Sequence, residues 1–201
     1  MVRGFKALEV LNKKKDQRRR HGEGKDDEID AERAGHTVVA YDHHQDCIDA
    51  IVAAGGVDAK SGREVGEQSD VVIMMMQNSP NVESALFDED GVFEGLSEGK
   101  AVIDMSSINP IKSREFAARL AKKGVDFLDA PVSGGEPKAI DGTIAVMVGG
   151  EQDVFDKYEP LLQTMASTVT LVGGVGAGNI TKLANQMIVA INIAGISEAY
   201  S

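Results

Sequence analysis

The segment GAGNITKLANQ, residues 176–186, sets a lysine and two amides at a spacing that suits proton transfer. Its glycines give way to Asn179, a capping residue type, and an apolar-periodic stretch follows, so a helix is predicted to start there. Lys182 then falls in the first helical turn. A cation there opposes the helix dipole, at a cost of roughly 0.3–1 kcal/mol, and gives up its proton more readily. Asn185 and Gln186 lie three and four residues on, on the same helical face. A lysine exchanging a proton beside a hydrogen-bonding amide suits acid–base chemistry at oxygen. The competing reading is an ordinary surface lysine on an amphipathic helix.

A second constellation, DAPVSGGEPKAIDGT at residues 129–143, puts Ser133, Gly134 and Gly135 at the end of an apolar run. Paired glycines let backbone N–H groups approach a ligand closely, and Ser133 adds a hydroxyl. Such a corner suits a small carboxylate, though a plain turn before a short helix would use the same residues. The segment TLVGGVGAGNITK looks like a dinucleotide-binding turn. No second strand ending in an acid follows it within about 20 residues, and the phosphate-loop pattern is missing, so both readings are set aside. His43 and His44 lack a nearby ligand set, and no metal site is expected.

These residues need a scaffold. From Gly35 onward, short apolar runs alternate with helix-like segments. HTVVAYD, DVVIMMM, KAVIDMSS, VDFLDAPVS, TIAVMVGG and TVTLVGG read as strands. CIDAIVAAGG, NVESALFDEDGVFEGL, NPIKSREFAARLAKKG and EQDVFDKYEPLLQTMA read as helices and turns, punctuated by Pro110 and Gly124. Continuous apolar strands alternating with helices imply an α/β, Rossmann-like fold, its mainly parallel sheet covered on both faces. Ligands of such sheets sit beyond the carboxyl ends of the strands. Asp42, Gln77 with Asn78, Ser106 with Ser107, and Ser133-Gly134-Gly135 each stand at such an end. Residues 34–175 are read as this domain and residues 176–201 as the start of a long interdomain helix. Residues 1–33, rich in charge, are read as a loose or helical arm.

Bulk composition narrows the function. The chain has 201 residues, 42% hydrophobic and 4% aromatic, with a formal net charge of −11. That charge repels phosphate backbones, and the scarcity of aromatics removes stacking platforms, so nucleic acid is not an expected partner. No apolar run reaches the length of a membrane span. The single cysteine, Cys47, fits a reducing compartment, and a cytoplasmic location is expected.

The motifs DMSSINP, DAPVSGGEPKAIDGTIAVMVGG and GAGNITKLANQ together resemble the β-hydroxyacid dehydrogenases, in the branch of the 2-hydroxy-3-oxopropionate reductases and 3-hydroxyisobutyrate dehydrogenases. The likeness runs over about residues 34–201. It implies a nicotinamide-dependent interconversion of a short 3-hydroxy carboxylate and its semialdehyde, with 2-hydroxy-3-oxopropionate the favoured substrate. Lys182 matches the family's catalytic lysine; Ser133, Gly134, Gly135 and Asn185 match its substrate-binding positions. Asp42, Met76, Gln77 and Ser107 match positions along the cofactor. The acid at Asp42 favours NAD over NADP.

Two departures accompany the resemblance. No GxGxxG turn precedes Ala34, where the family has its first, central strand and pyrophosphate loop; a gap in the sheet and weakened or lost NAD binding are expected. The family's helical C-terminal domain would follow beyond Ser201, so an apolar helix ending there is expected to self-associate. The alternative to an impaired dehydrogenase is a catalytically inactive chain serving as a binding module.

Overall fold

The computed structural model describes residues 8–10, 12–13, 36–42 and 45–200. The strands are β1 (Leu8–Val10), β2 (Asn12–Lys13), β3 (His36–Thr37), β4 (Val39–Ala40), β5 (Val57–Asp58), β6 (Val71–Met74), β7 (Ala101–Asp104), β8 (Asp126–Asp129), β9 (Val132–Ser133), β10 (Ile144–Gly149) and β11 (Ala166–Gly173). The helices are α1 (Gln45–Ala54), α2 (Gly62–Gln68), α3 (Ser79–Phe87), α4 (Val92–Gly95), α5 (Pro110–Ala121), α6 (Gly135–Ile140), α7 (Gln152–Leu162) and α8 (Ala177–Ala199).

The main sheet runs β1-β6-β7-β8-β10-β11, with β9 paired onto β10. Strands β6, β7 and β8 are mutually parallel, β8 meets β10 antiparallel, and β10 is parallel to β11. The sheet is therefore mainly parallel, as the unbroken apolar runs imply. Side-chain alternation divides the core in two. On β6, Val71 and Ile73 join one apolar cluster while Val72 and Met74 join the other. The first cluster packs Ile48 and Ile51 of α1 and Phe155, Tyr158, Leu161 and Leu162 of α7. The second packs Val65, Val82, Leu86, Val92, Phe116 and Leu120 from helices α2 to α5. Helices thus cover both faces.

Local chemistry explains the boundaries. Asn109 caps α5 by accepting the Ile111 N–H, and Pro110 opens the helix, where its missing N–H costs nothing. Helix α3 is capped likewise, Asn78 accepting from the Asn81 N–H. The turn after α5 is closed by Gly124, whose φ of +67° suits glycine.

Two elements differ from the sequence expectation. HTVVAYD is not one strand of the main sheet: β3 pairs with β2, and β4 pairs in parallel with β5. The place beside β6 is not a gap either, since Leu8–Val10 lies there, antiparallel, with Leu8 opposite Met74 and Val10 opposite Val72. Leu8–Val10 and Asn12–Lys13 of the charged arm are thus strand, not helix; its remaining residues, and the positions of the family's glycine loop among them, lie outside the described residues.

Helix α8 leaves the sheet with its apolar side chains uncovered; Met187, Ile188, Ile191, Ile193 and Ile196 are all exposed. Among the described residues no helix is long and apolar enough to cross a membrane.

Candidate functional site

Three of the motif turns meet at one buried polar knot. Asp129, the last residue of β8, accepts the Gly176 N–H on one carboxylate oxygen at 2.6 Å and the Asn179 N–H on the other at 2.8 Å. Asn179 Oδ1 accepts the Ile108 N–H at 2.9 Å, and its Nδ2 donates to Ser113 Oγ at 3.2 Å. Asp129, Asn179 and Ser113 are all fully buried. The turn after β7 that carries Ser107, the carboxyl end of β8 and the start of the Lys182 helix are thereby bonded to one another. Arg114 adds an exposed tie, its Nε donating to the Val175 carbonyl at 3.1 Å.

Glycine makes this junction possible. A Cβ on Gly178 would lie 2.5 Å from the Asp129 carbonyl oxygen, and a Cβ on Gly149 would lie 2.7 Å from the Gly178 nitrogen. Helix α8 therefore docks on β8 and β10 at backbone contact distance. Strand β9 flanks β10 too, with Ser133 opposite Ala145. The serine-glycine corner and the start of the lysine helix share this one strand, the first at Ala145 and the second at Met147 and Gly149.

The helix cap falls at Gly176, with φ +91°, and not at Asn179. Lys182 accordingly stands in the second turn, beyond the reach of the dipole argument, and the buried Asp129 carboxylate sits at that same helix end. Its pKa is lowered all the same, and burial of the ammonium is the cause. Asn185, half-buried, lies three residues on; its Nδ2 donates to Gln186 Oε1 at 3.1 Å. Because Gly176 and Asn179 give their N–H groups to Asp129, the glycine-rich turn before α8 serves an internal carboxylate.

At the opposite side of the strand ends, Asp42 and Met76 line a cavity of about 290 Å³ together with Tyr41, Asn81, Ser84 and the Asp88–Asp90 turn. Met76 lies just past β6 and is buried; its N–H donates to Ser106 Oγ at 2.7 Å. The Ser106 N–H in turn donates to Asp104 Oδ1 at 3.0 Å. Gln77 and Ser107, next in sequence to this bonded pair, are exposed. Gly134 and Gly135, at φ +153° and +70°, are exposed in a backbone course that few other residues adopt. Among the described residues no group of side chains is arranged to hold a metal ion.

The structure thus joins Asp42 to Met76 through a cavity, Met76 to the Ser107 turn through Ser106, and that turn to the Lys182 helix through Asn179. Asp104, Asp129 and the bridging role of Asn179 are absent from the sequence reading. The signal for the first two is a carboxylate closing an apolar strand run, as in AVID and DFLD.

Residues 28–174 match the family described as the NAD binding domain of 6-phosphogluconate dehydrogenase. The chain is 43% identical over 175 residues to 2-hydroxy-3-oxopropionate reductase of Escherichia coli (strain K12), covering 85% of this chain and 58% of that enzyme. It is 36% identical over 167 residues to the NAD-dependent L-serine dehydrogenase of Pseudomonas aeruginosa, covering 83% and 56%. The structure of Mycobacterium tuberculosis 3-hydroxyisobutyrate dehydrogenase with L-serine superposes with a TM-score of 0.83 at 32% identity, covering 88% of this chain and 60% of that one. The chain spans less than two thirds of each of these relatives. With its two-faced sheet, its strand-end crevice and a family match across most of its length, the chain belongs to the family of the 6-phosphogluconate dehydrogenase NAD-binding domain.

Proposed function

We propose that this chain carries the cofactor-binding half and the proton-transfer lysine of an NAD-dependent β-hydroxyacid dehydrogenase of the cytoplasm. Its reaction interconverts a short 3-hydroxy carboxylate and its semialdehyde, with 2-hydroxy-3-oxopropionate as the first substrate to test. The observation that carries this reading is the bonded link from the Met76–Ser107 edge to the lysine helix, which runs through Ser106, Ile108 and Asn179. Relatives named as 2-hydroxy-3-oxopropionate reductase and 3-hydroxyisobutyrate dehydrogenase support it.

The cavity fits the adenosine half of NAD. Asp42 offers acceptor oxygens to a ribose diol, and Met76 and Gln77 border the same edge. Among the described residues the lining holds Asp42, Asp88, Glu89 and Asp90 but no lysine or arginine. A 2′-phosphate would meet only like charge there, which favours NAD over NADP. Hydride exchange at the substrate carbon is the chemistry NAD supplies when bound. Ser133 Oγ and the N–H groups of Gly134 and Gly135 hold the substrate carboxylate. Lys182 Nζ gives its proton to the aldehyde oxygen in reduction and takes it from the hydroxyl in oxidation; partial burial keeps that exchange easy. Asn185 turns its amide from Gln186 to the reacting oxygen, and Ser107 borders the nicotinamide. The apolar stripe along α8 supports contact with a second copy through that helix.

The test is an NADH titration followed by fluorescence, beside turnover of 2-hydroxy-3-oxopropionate by the parent and Lys182→Ala chains. Saturable NADH binding with turnover that Lys182→Ala abolishes supports the reading. Binding without turnover confines the chain to the cofactor half, and absence of binding overturns the proposal.

A further inference from the structure

Asp104 and Asp129 close neighbouring parallel strands and stand opposite each other in register. Register partners in a parallel pair lie about 4.8 Å apart with side chains on the same face, so two carboxyl groups stand side by side. Both residues are fully buried. Their surroundings are unequal. Asp129 accepts an N–H on each oxygen and Arg114 on α5 adds positive potential, so burial pushes its carboxyl up only to about 6. Asp104 accepts the Ser106 N–H on Oδ1 and has the Ser106 hydroxyl as a second donor, while its Oδ2 has no hydrogen-bond partner among the described residues. The other elements against the pair, β6 with residues 75–78, residues 105–109, β10 and the first turn of α8, contribute no charged side chain.

We propose that Asp104 and Asp129 are a proton-sharing pair: Asp129 holds the negative charge, Asp104 holds the proton, and that neutral acid lets the two halves of the site stay locked together. Two carboxylates this close, shielded from water, do not both ionise cheaply. The Arg114 charge and a donor on each oxygen favour ionised Asp129, whereas the unpartnered Oδ2 disfavours ionised Asp104. An acid on Asp104 also lets both loops tied to the pair, Met76–Ser106 and Gly176–Asn179, keep their hydrogen bonds without a second buried charge between them.

Burial, reinforced by the Asp129 charge, pushes the Asp104 carboxyl up to about 7. The native chain then keeps a proton that the unfolded chain releases from about pH 4 upward. Stability falls as pH rises through that window and levels off above it.

Infrared spectroscopy of the full chain tests the assignment. A carbonyl stretch from a buried, un-ionised carboxylic acid is expected at pH 6 in the parent and markedly weaker in Asp104→Asn, where only Asp129, itself pushed up to about 6, still contributes. Thermal melts test the consequence. The parent Tm is expected to fall by roughly 5–10 °C from pH 5 to pH 8 on account of this group. Asp104→Asn, which mimics the neutral acid, should match the parent at pH 5 and show a flatter slope. No neutral-carboxyl band in the parent at pH 6, or an unchanged slope in the variant, overturns the proposal. Should Asp104→Asn fail to fold, carbon-13 titration of aspartate carboxyls in the parent decides: one midpoint near neutrality supports the pair, and all midpoints below about 5 refute it. None of these readouts needs NAD or substrate, so their outcome stands apart from the proposed dehydrogenase chemistry.

Discussion

Helix α8 contains two glycines for which one substitution should have opposite effects. Gly178 faces strand backbone, and an added Cβ would lie 2.5 Å from the Asp129 carbonyl oxygen. Comfortable contact is about 3.5 Å, so the helix start must retreat by about 1 Å. Such a retreat takes the Gly176 N–H···Asp129 bond from 2.6 Å to beyond hydrogen-bond range and strains its Asn179 partner. Each hydrogen bond to a charged group contributes roughly 1.5–3 kcal/mol. Two weakened bonds, less about 1 kcal/mol of helix propensity gained from alanine, leave a loss of about 2–5 kcal/mol. For a chain of this size that lowers Tm by roughly 5–20 °C. Gly195 lies in the same helix with nothing within 4 Å of an added Cβ. There alanine contributes only its propensity, and Tm should rise by about 1–4 °C. Circular-dichroism melts of Gly178→Ala and Gly195→Ala in one buffer provide the measurement. A Gly178→Ala chain melting within about 2 °C of the parent would show that the helix is not docked at backbone distance, and the tight junction would have to be abandoned.

Other consequences are as direct. Ser106→Ala removes the acceptor of the buried Met76 N–H; the loss should be about 1–3 kcal/mol, with weaker NADH binding in the fluorescence titration, and an unaltered affinity would separate Met76 from the cofactor edge. Lys182, lowered by burial, should show a labelling midpoint below the ordinary 10.5 when acylation is followed by peptide mass spectrometry across pH. Because the unfolded chain keeps that proton to higher pH, this group adds stability as pH climbs through its folded pKa toward 10.5. A midpoint at or above 10.5 would contradict the burial.

The sheet was legible because its strands are buried on both faces and so are apolar without interruption. AVID and VVIM announce themselves, and Pro110 and Gly124 bracket α5 as their backbone preferences require. The two-part course of HTVVAYD was not legible, since pairing partners at β2 and β5 lie far away in sequence and leave no local mark. Helix α2 was missed because GREVGEQ offers two glycines and one apolar residue; tertiary packing of Val65 and the Ser61 cap, which accepts the Glu64 N–H, sustain it. Lys182 and the serine-glycine corner stand out by residue type. The knot behind them does not, because Asp129 meets Gly176 across 47 residues and Ile108 meets Asn179 across 71. Asn179 looks like a cap by type, yet its side chain reaches across to another turn, leaving the cap to Gly176.

That knot also bears on local opening. The amides of Ile108, Gly176 and Asn179 donate to acceptors that belong to other segments, and each acceptor residue is itself buried. No one of these turns can swing open without uncoupling the others. The three form a single cooperative unit, whose amides should exchange with deuterium only on the timescale of global unfolding. Adaptation to a ligand then falls to the exposed Gly134–Gly135 turn and to the exposed outer turns of α8.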